Sequence, residues 1–125
     1  MSTNNNRRIL VVDDESDVNL ALKIALEDNG FKVDTFTDPM LALKNFRDTS
    51  MYDLIILDIL MSGMSGLELY REIKKVDDKV KVCFLTAILN YEEVRRAFPT
   101  LNRNQFIRKP IDNEELIKQI NQIIS

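Results

Sequence analysis

Apolar and polar positions alternate between two periods along nearly the whole chain. Arg8-Ile9-Leu10-Val11-Val12 and Leu54-Ile55-Ile56-Leu57 are near-continuous apolar runs, and they predict strands buried on both faces of a parallel sheet. Lys32-Val33-Asp34-Thr35-Phe36 alternates polar with apolar residues, which predicts a strand with one exposed face at a sheet edge. Val80 to Leu85, ending in Thr86, reads as a fourth strand, and Gln105-Phe106-Ile107 as a short fifth. Between them the period changes. Val18, Ala21, Leu22, Ala25 and Leu26 recur at the spacing of an amphipathic helix, closed by Gly30 as a C-cap. Asp38-Pro39 is an N-cap followed by proline at the first helical position, and it opens a helix through Phe46. Leu67, Leu69, Tyr70 and Ile73 mark a third helix. Tyr91, Val94 and Phe98 share a face of a fourth, which Pro99 ends. Asp112 with Glu115 forms a capping-box-like pair before a last helix, whose inner stripe is Leu116, Ile117, Ile120, Ile123 and Ile124.

Five strands alternating with five helices predict an α/β fold, a doubly wound parallel sheet with helices on both faces and right-handed crossovers. The apolar first and third strands belong in the middle and the alternating second at an edge. That is the flavodoxin-like order 2-1-3-4-5, with its topological switch between strands 1 and 3. The 125 residues make one domain, large enough to bury a core without disulfides or a structural metal. A net charge of −3 gives no general attraction to nucleic acid or to an anionic membrane. Cys83 lies inside an apolar run and reads as a small core residue. The absence of His excludes His-based catalysis and His metal ligands. No apolar run approaches a membrane span, and the start Met1-Ser2-Thr3-Asn4-Asn5-Asn6 lacks the apolar core of a secretory signal, so a cytoplasmic location is expected.

Candidate chemistry gathers at the carboxyl edge of the sheet. Asp58 ends the most buried strand; alone, it reads equally as a cap for the loop that follows. Gly63 and Gly66 in that loop fit a sharp turn or a close backbone approach to a ligand. The topology then brings Asp13-Asp14 from strand 1 to the same crevice. Three grouped carboxylates repel one another unless a cation fills the space between them. All-oxygen ligation with room for water and a phosphate suits Mg2+ better than a transition metal. An acidic loop disfavours a flavin phosphate. Thr86 from strand 4 and Lys109 from strand 5 reach the same edge. A carboxylate flanked by a metal, an ammonium and a hydroxyl is arranged to accept a phosphoryl group, with Asp58 attacking in line.

These residues together resemble the receiver domain of two-component response regulators, from roughly Arg8 to Ile124. The signature is the acidic pair Asp13 and Asp14, the acceptor Asp58 with Met61, Met64 and Gly66 downstream, Thr86-Ala87, and Lys109-Pro110. Any one element is weak; four in order at this spacing are highly specific. The resemblance implies that Asp58 is the phosphorylation site. It implies Mg2+ ligation by Asp14, Asp58 and the Leu60 backbone carbonyl, with Asp13 reaching the metal through water. It further implies a cis Lys109-Pro110 bond and a switch pair, Thr86 and Phe106. The division expected is a polar tail over residues 1–7 and one receiver domain over residues 8–125, either stand-alone or excised from a longer protein.

The implied function is a phosphorylation-controlled protein-binding switch in a phosphorelay. The donor would be a separate histidine kinase or phosphotransfer protein, and a downstream protein would read the face of the fourth helix, fifth strand and fifth helix. Such a domain is no enzyme beyond its own phosphorylation and dephosphorylation. A phosphorylation-independent adaptor on the same fold is the alternative; an external phosphatase would need a substrate pocket that short loops leave little room for. Three departures from the family pattern stand out. Ser62 replaces a proline, Phe106 a tyrosine, and Pro99-Thr100-Leu101-Asn102-Arg103-Asn104 a small turn. Arg95, Arg96, Arg103 and Arg108 near the output face read as a solvated surface or protein contact, not a direct nucleic-acid site. Leu60 and Ile88 flank the expected water approach and, being apolar, predict a long-lived phosphoryl state.

Overall fold

Every strand of the sheet carries its residues alternately to two separate apolar cores. The computed structural model describes residues 7–49, 51–87, 91–110 and 112–125. The expected polar tail, apart from Arg7, and Ile88 lie outside the described residues. The five strands are β1 (Arg8–Val12), β2 (Lys32–Phe36), β3 (Leu54–Leu57), β4 (Lys81–Thr86) and β5 (Phe106–Arg108), all parallel, in the order β2-β1-β3-β4-β5. The five α-helices are α1 (Ser16–Asp28), α2 (Pro39–Thr49), α3 (Gly66–Val76), α4 (Tyr91–Ala97) and α5 (Asn113–Ile124). This is the flavodoxin-like order that the apolar patterning predicts, with the edge position of β2 following from its half-polar sequence.

Leu10, Val12, Ile55, Leu57, Val82, Phe84 and Phe106 point to one side, against Ala42, Leu43 and Phe46 of α2, Leu69, Tyr70 and Ile73 of α3, and Val94 of α4. Ile9, Val11, Leu54, Ile56, Cys83, Leu85 and Ile107 point to the other, against Leu22 and Leu26 of α1 and Leu116, Ile120 and Ile124 of α5. A strand flanked on both faces has no place for a polar residue, which is why β1 and β3 read as unbroken apolar runs. On α5, Ile117 and Ile123 are only half-buried and flank the stripe that the other three fill.

Local chemistry sets the element ends. Gly30, at φ 90°, follows the C-cap Asn29; its N–H bonds to the Glu27 carbonyl at 3.0 Å and that of Phe31 to the Leu26 carbonyl at 3.2 Å, a Schellman closure of α1. The glycine therefore sits one residue beyond the cap position expected for it. Asp38 accepts the Met40 N–H at 2.8 Å, and α2 runs on past Phe46 to Thr49. Ser65 accepts the Glu68 N–H and Asp112 the Glu115 N–H, capping α3 and α5. One boundary differs from expectation. Gln105 is not the first residue of β5 but the last of a 3₁₀ turn, Arg103–Gln105. Its side-chain oxygen accepts the Asn102 N–H at 2.8 Å while its Nε2 donates to the Val82 carbonyl at 3.0 Å, so the residue serves as a clasp between the turn and β4.

Candidate phosphoacceptor site

Asp13 and Asp58 leave neighbouring strands at the same edge. The N–H of Asp58 bonds to the Val12 carbonyl at 3.0 Å, continuing the β1–β3 ladder by one residue and fixing where its side chain emerges. The N–H of Asp13 does the same on the other side, bonding to the Phe36 carbonyl at 3.2 Å. Both carboxylates are buried, at 2% exposure for Asp13 and 6% for Asp58, while Asp14 faces solvent. One oxygen from each of the three lies within 4.8 Å of the others.

The loop after β3 holds its shape by contacts with this cluster. Asp14 Oδ2 accepts the Ser62 N–H at 3.0 Å, tying the β3–α3 loop to the β1–α1 turn. Ser62 thus contributes a backbone donor that a proline could not supply. The N–H of Gly66 bonds to the Ile59 carbonyl at 2.9 Å, and a Cβ at Gly66 would run into the Asp58 carbonyl. That glycine is required by close approach of the chain to its own backbone. Leu60 is exposed.

Lys109 is the cation that reaches the cluster. Its Nζ donates to Asp13 Oδ2 at 2.7 Å and stands 3.7 Å from Asp58 Oδ2 and 4.0 Å from Glu15. Burial alone would depress the ammonium; the hydrogen bond and charge of Asp13, with Asp58 and Glu15 behind it, outweigh that and raise its pKa. Burial is also the largest influence on Asp58 and pushes its carboxyl up, reinforced by the charge of Asp13 and, more weakly, Asp14. Lys109 and a backbone hydrogen bond from Leu60 oppose the rise. One ammonium against this many carboxylates leaves the crevice short of positive charge. Hard oxygen donors, two of them buried and one open to water, fit a divalent cation of the Mg2+ type, whose charge would favour the ionised form of Asp58.

The other expected residues flank this centre. Thr86 ends β4 with no exposure, and its carbonyl accepts the Lys109 N–H at 2.8 Å. The Lys109-Pro110 bond is cis. Phe106 is 7% exposed; its ring stacks on Phe84 at 5.2 Å and meets the edge of Tyr91 at 5.3 Å. Glu15, Ser62 and the buried Asn19 of α1 were not singled out by sequence. Of these only Asn19 leaves a signal there, a polar residue on the apolar spacing shared by Leu22 and Leu26.

Residues 9–121 match the family model of the response regulator receiver domain. The chain belongs to that family. Among curated relatives, the receiver domain is 33% identical over 117 residues to the transcriptional regulatory protein PrrA of Mycobacterium leprae, which covers 94% of this chain and 49% of PrrA. The chain spans about half the length of the curated relatives it matches. Among solved structures, it is 36% identical to the response regulator protein TrrA of Thermotoga maritima, in complex with Mg(2+)-BeF, at a TM-score of 0.81 over 94% of this chain and 98% of that one. A response regulator receiver domain protein from Clostridium thermocellum is 31% identical at a TM-score of 0.84, with 94% of each chain covered. Receiver domains are signalling domains, not classical enzymes. No helix among the described residues is long and apolar enough to cross a membrane.

Proposed function

We propose that this receiver domain is the phosphoacceptor of a two-component phosphorelay, with Asp58 as the residue modified. The observation that carries the reading is the crevice itself: three carboxylates from β1 and β3 within 4.8 Å, with Lys109 Nζ at 2.7 Å from Asp13 and 3.7 Å from Asp58. The chain has no His, so the donor is a phosphohistidine on another protein, a histidine kinase or a phosphotransfer protein.

An Asp58 carboxylate oxygen attacks phosphorus in line. The O–P bond forms as the P–N bond of the phosphohistidine breaks, and the imidazole nitrogen leaves with the electron pair. Asp14, Asp58 and the Leu60 carbonyl would hold Mg2+, and Asp13 would reach it through water. When bound, the ion supplies positive charge beside the equatorial phosphoryl oxygens. Lys109, placed between Asp13 and Asp58, supplies charge from the protein side, and Thr86 offers a hydroxyl to a phosphoryl oxygen. Thr86 and Phe106 then couple the modified site to the face formed by α4, β5 and α5, where a downstream protein docks. The exposed Arg95, Arg96, Arg103 and Arg108 on or beside that face suit an acidic protein surface.

Incubation with acetyl phosphate and Mg2+, read by intact mass, tests the reading. A single phosphoryl adduct is expected, abolished by Asp58→Asn and by chelation of the metal. An unmodified wild-type mass under conditions that label a known receiver would favour the phosphorylation-independent adaptor instead.

A further inference from the structure

Among the described residues, four polar side chains are buried in the fold: Asp13, Asp58, Thr86 and Asn19. Three stand in or beside the crevice. Asn19 stands behind it, on the inward face of α1 and 3% exposed. Its Nδ2 donates to the Asp13 carbonyl at 2.8 Å and to the Phe36 carbonyl at 3.1 Å. Phe36 O is the same atom that receives the Asp13 N–H. A single carboxamide therefore locks the peptide that joins Asp13 to Asp14 onto the end of β2. With Glu15 N–H on Asp13 Oδ1 and Lys109 on Oδ2, every polar atom of Asp13 is engaged.

The cost of this arrangement is visible at the other end of the amide. Asn19 Oδ1 is buried and has no hydrogen-bond partner among the described residues. A leucine has nearly the same volume, continues the apolar spacing of Leu22 and Leu26, and leaves no orphaned oxygen. It would serve the core better. What leucine lacks is two N–H groups aimed at two carbonyls, and serine has only one donor.

We infer that Asn19 is a positioning residue of the acidic site: its carboxamide fixes the β1–α1 turn that carries Asp13 and Asp14, and so sets the affinity of the crevice for a divalent cation. The inference rests on the reading of that crevice as a Mg2+ and phosphoryl site. It concerns placement alone, since Asn19 touches neither carboxylate.

The test uses Asn19→Leu and Asn19→Ser beside wild type, with Mg2+ alone as titrant in a calorimeter and amide NMR on the metal-free proteins. The Kd for Mg2+ should rise about tenfold in Asn19→Leu, the usual scale for removing a group that orients a metal ligand, and less in Asn19→Ser. In the metal-free spectra the amides of Glu15 and Ser62 should shift, because each bonds to a carboxylate oxygen of Asp13 or Asp14, while those of Leu69 and Ile73 in α3 stay in place. A purely structural role would lower the melting temperature and leave the Mg2+ affinity of the folded protein unchanged. Wild-type Kd with unmoved Glu15 and Ser62 amides overturns the inference, and Asn19→Ser decides the matter if Asn19→Leu does not fold. Wild-type protein that fails to bind Mg2+ overturns the site reading, and the inference with it; wild-type binding matched by the variants overturns the inference alone.

Discussion

Tyr52, just ahead of β3, shows how much a single buried hydroxyl can be made to do. It donates to Asp34 Oδ2 at 2.7 Å and accepts from Asn45 Nδ2 at 2.8 Å, while Arg8 reaches the same Asp34 oxygen at 3.4 Å. Burial first, then the hydrogen bond to Asp34, raise the phenol above its ordinary pKa, with Asn45 partly opposing. The folded state therefore keeps a proton that the unfolded chain releases. Stability from this source is complete below the ordinary tyrosine value and is lost as pH rises from there through the raised folded value. Tyr52→Phe should cost about 1 kcal/mol at neutral pH for the lost hydrogen bonds. It should also flatten the alkaline fall in the urea midpoint; an unchanged alkaline slope would remove Tyr52 as its cause. The residues of the acidic crevice were legible in sequence because each sits at a strand end, where order 2-1-3-4-5 dictates its neighbours. Asn19 and Ser62 were not, since their part depends on which carbonyl or carboxylate happens to lie opposite.

Among the elements, α5 lacks any basic residue in its last turn, so nothing in its own sequence answers the negative end of its dipole. The answer comes from elsewhere in the chain. Lys81 Nζ donates to the Ile124 carbonyl at 2.8 Å and Arg7 reaches it at 3.4 Å. Lys81→Met keeps the stem and removes the charge. The expected loss is roughly 0.5 to 1 kcal/mol, with faster amide exchange confined to the last turn of α5. Exchange that accelerates evenly along the helix would show that the contact acts on packing instead. Element boundaries were legible where a capping residue announces them, as at Asp38 and Asp112. The turn at Arg103–Gln105 was not, because Gln105 enters it through long-range and side-chain bonds that no local period records.

At the scale of the molecule, the sheet is a wall shared by two cores, and Cys83 stands in the middle of that wall with no exposure. Burial pushes its thiol up to about 12, so neither access nor thiolate is on offer in the native state. Alkylation of Cys83 should then follow the global unfolding equilibrium, measured as labelling rate against urea; labelling of the native protein at the rate of a free thiol would contradict the two-core arrangement. The strand order was legible because a strand apolar on every residue must be interior and an alternating one need not be. The same architecture gives α5 an unusual footing. The helix is about 18 Å long and begins three residues beyond Pro110, beside the acidic crevice, yet its far end is moored by Lys81 and Arg7 at the opposite pole of the sheet. A rod anchored at one tip cannot slide along its axis. Any displacement delivered at the crevice becomes a swing about a fulcrum near Ile124, widest at Asn113 and vanishing toward the anchor, and the turn nearest Lys109 is where a partner would feel it.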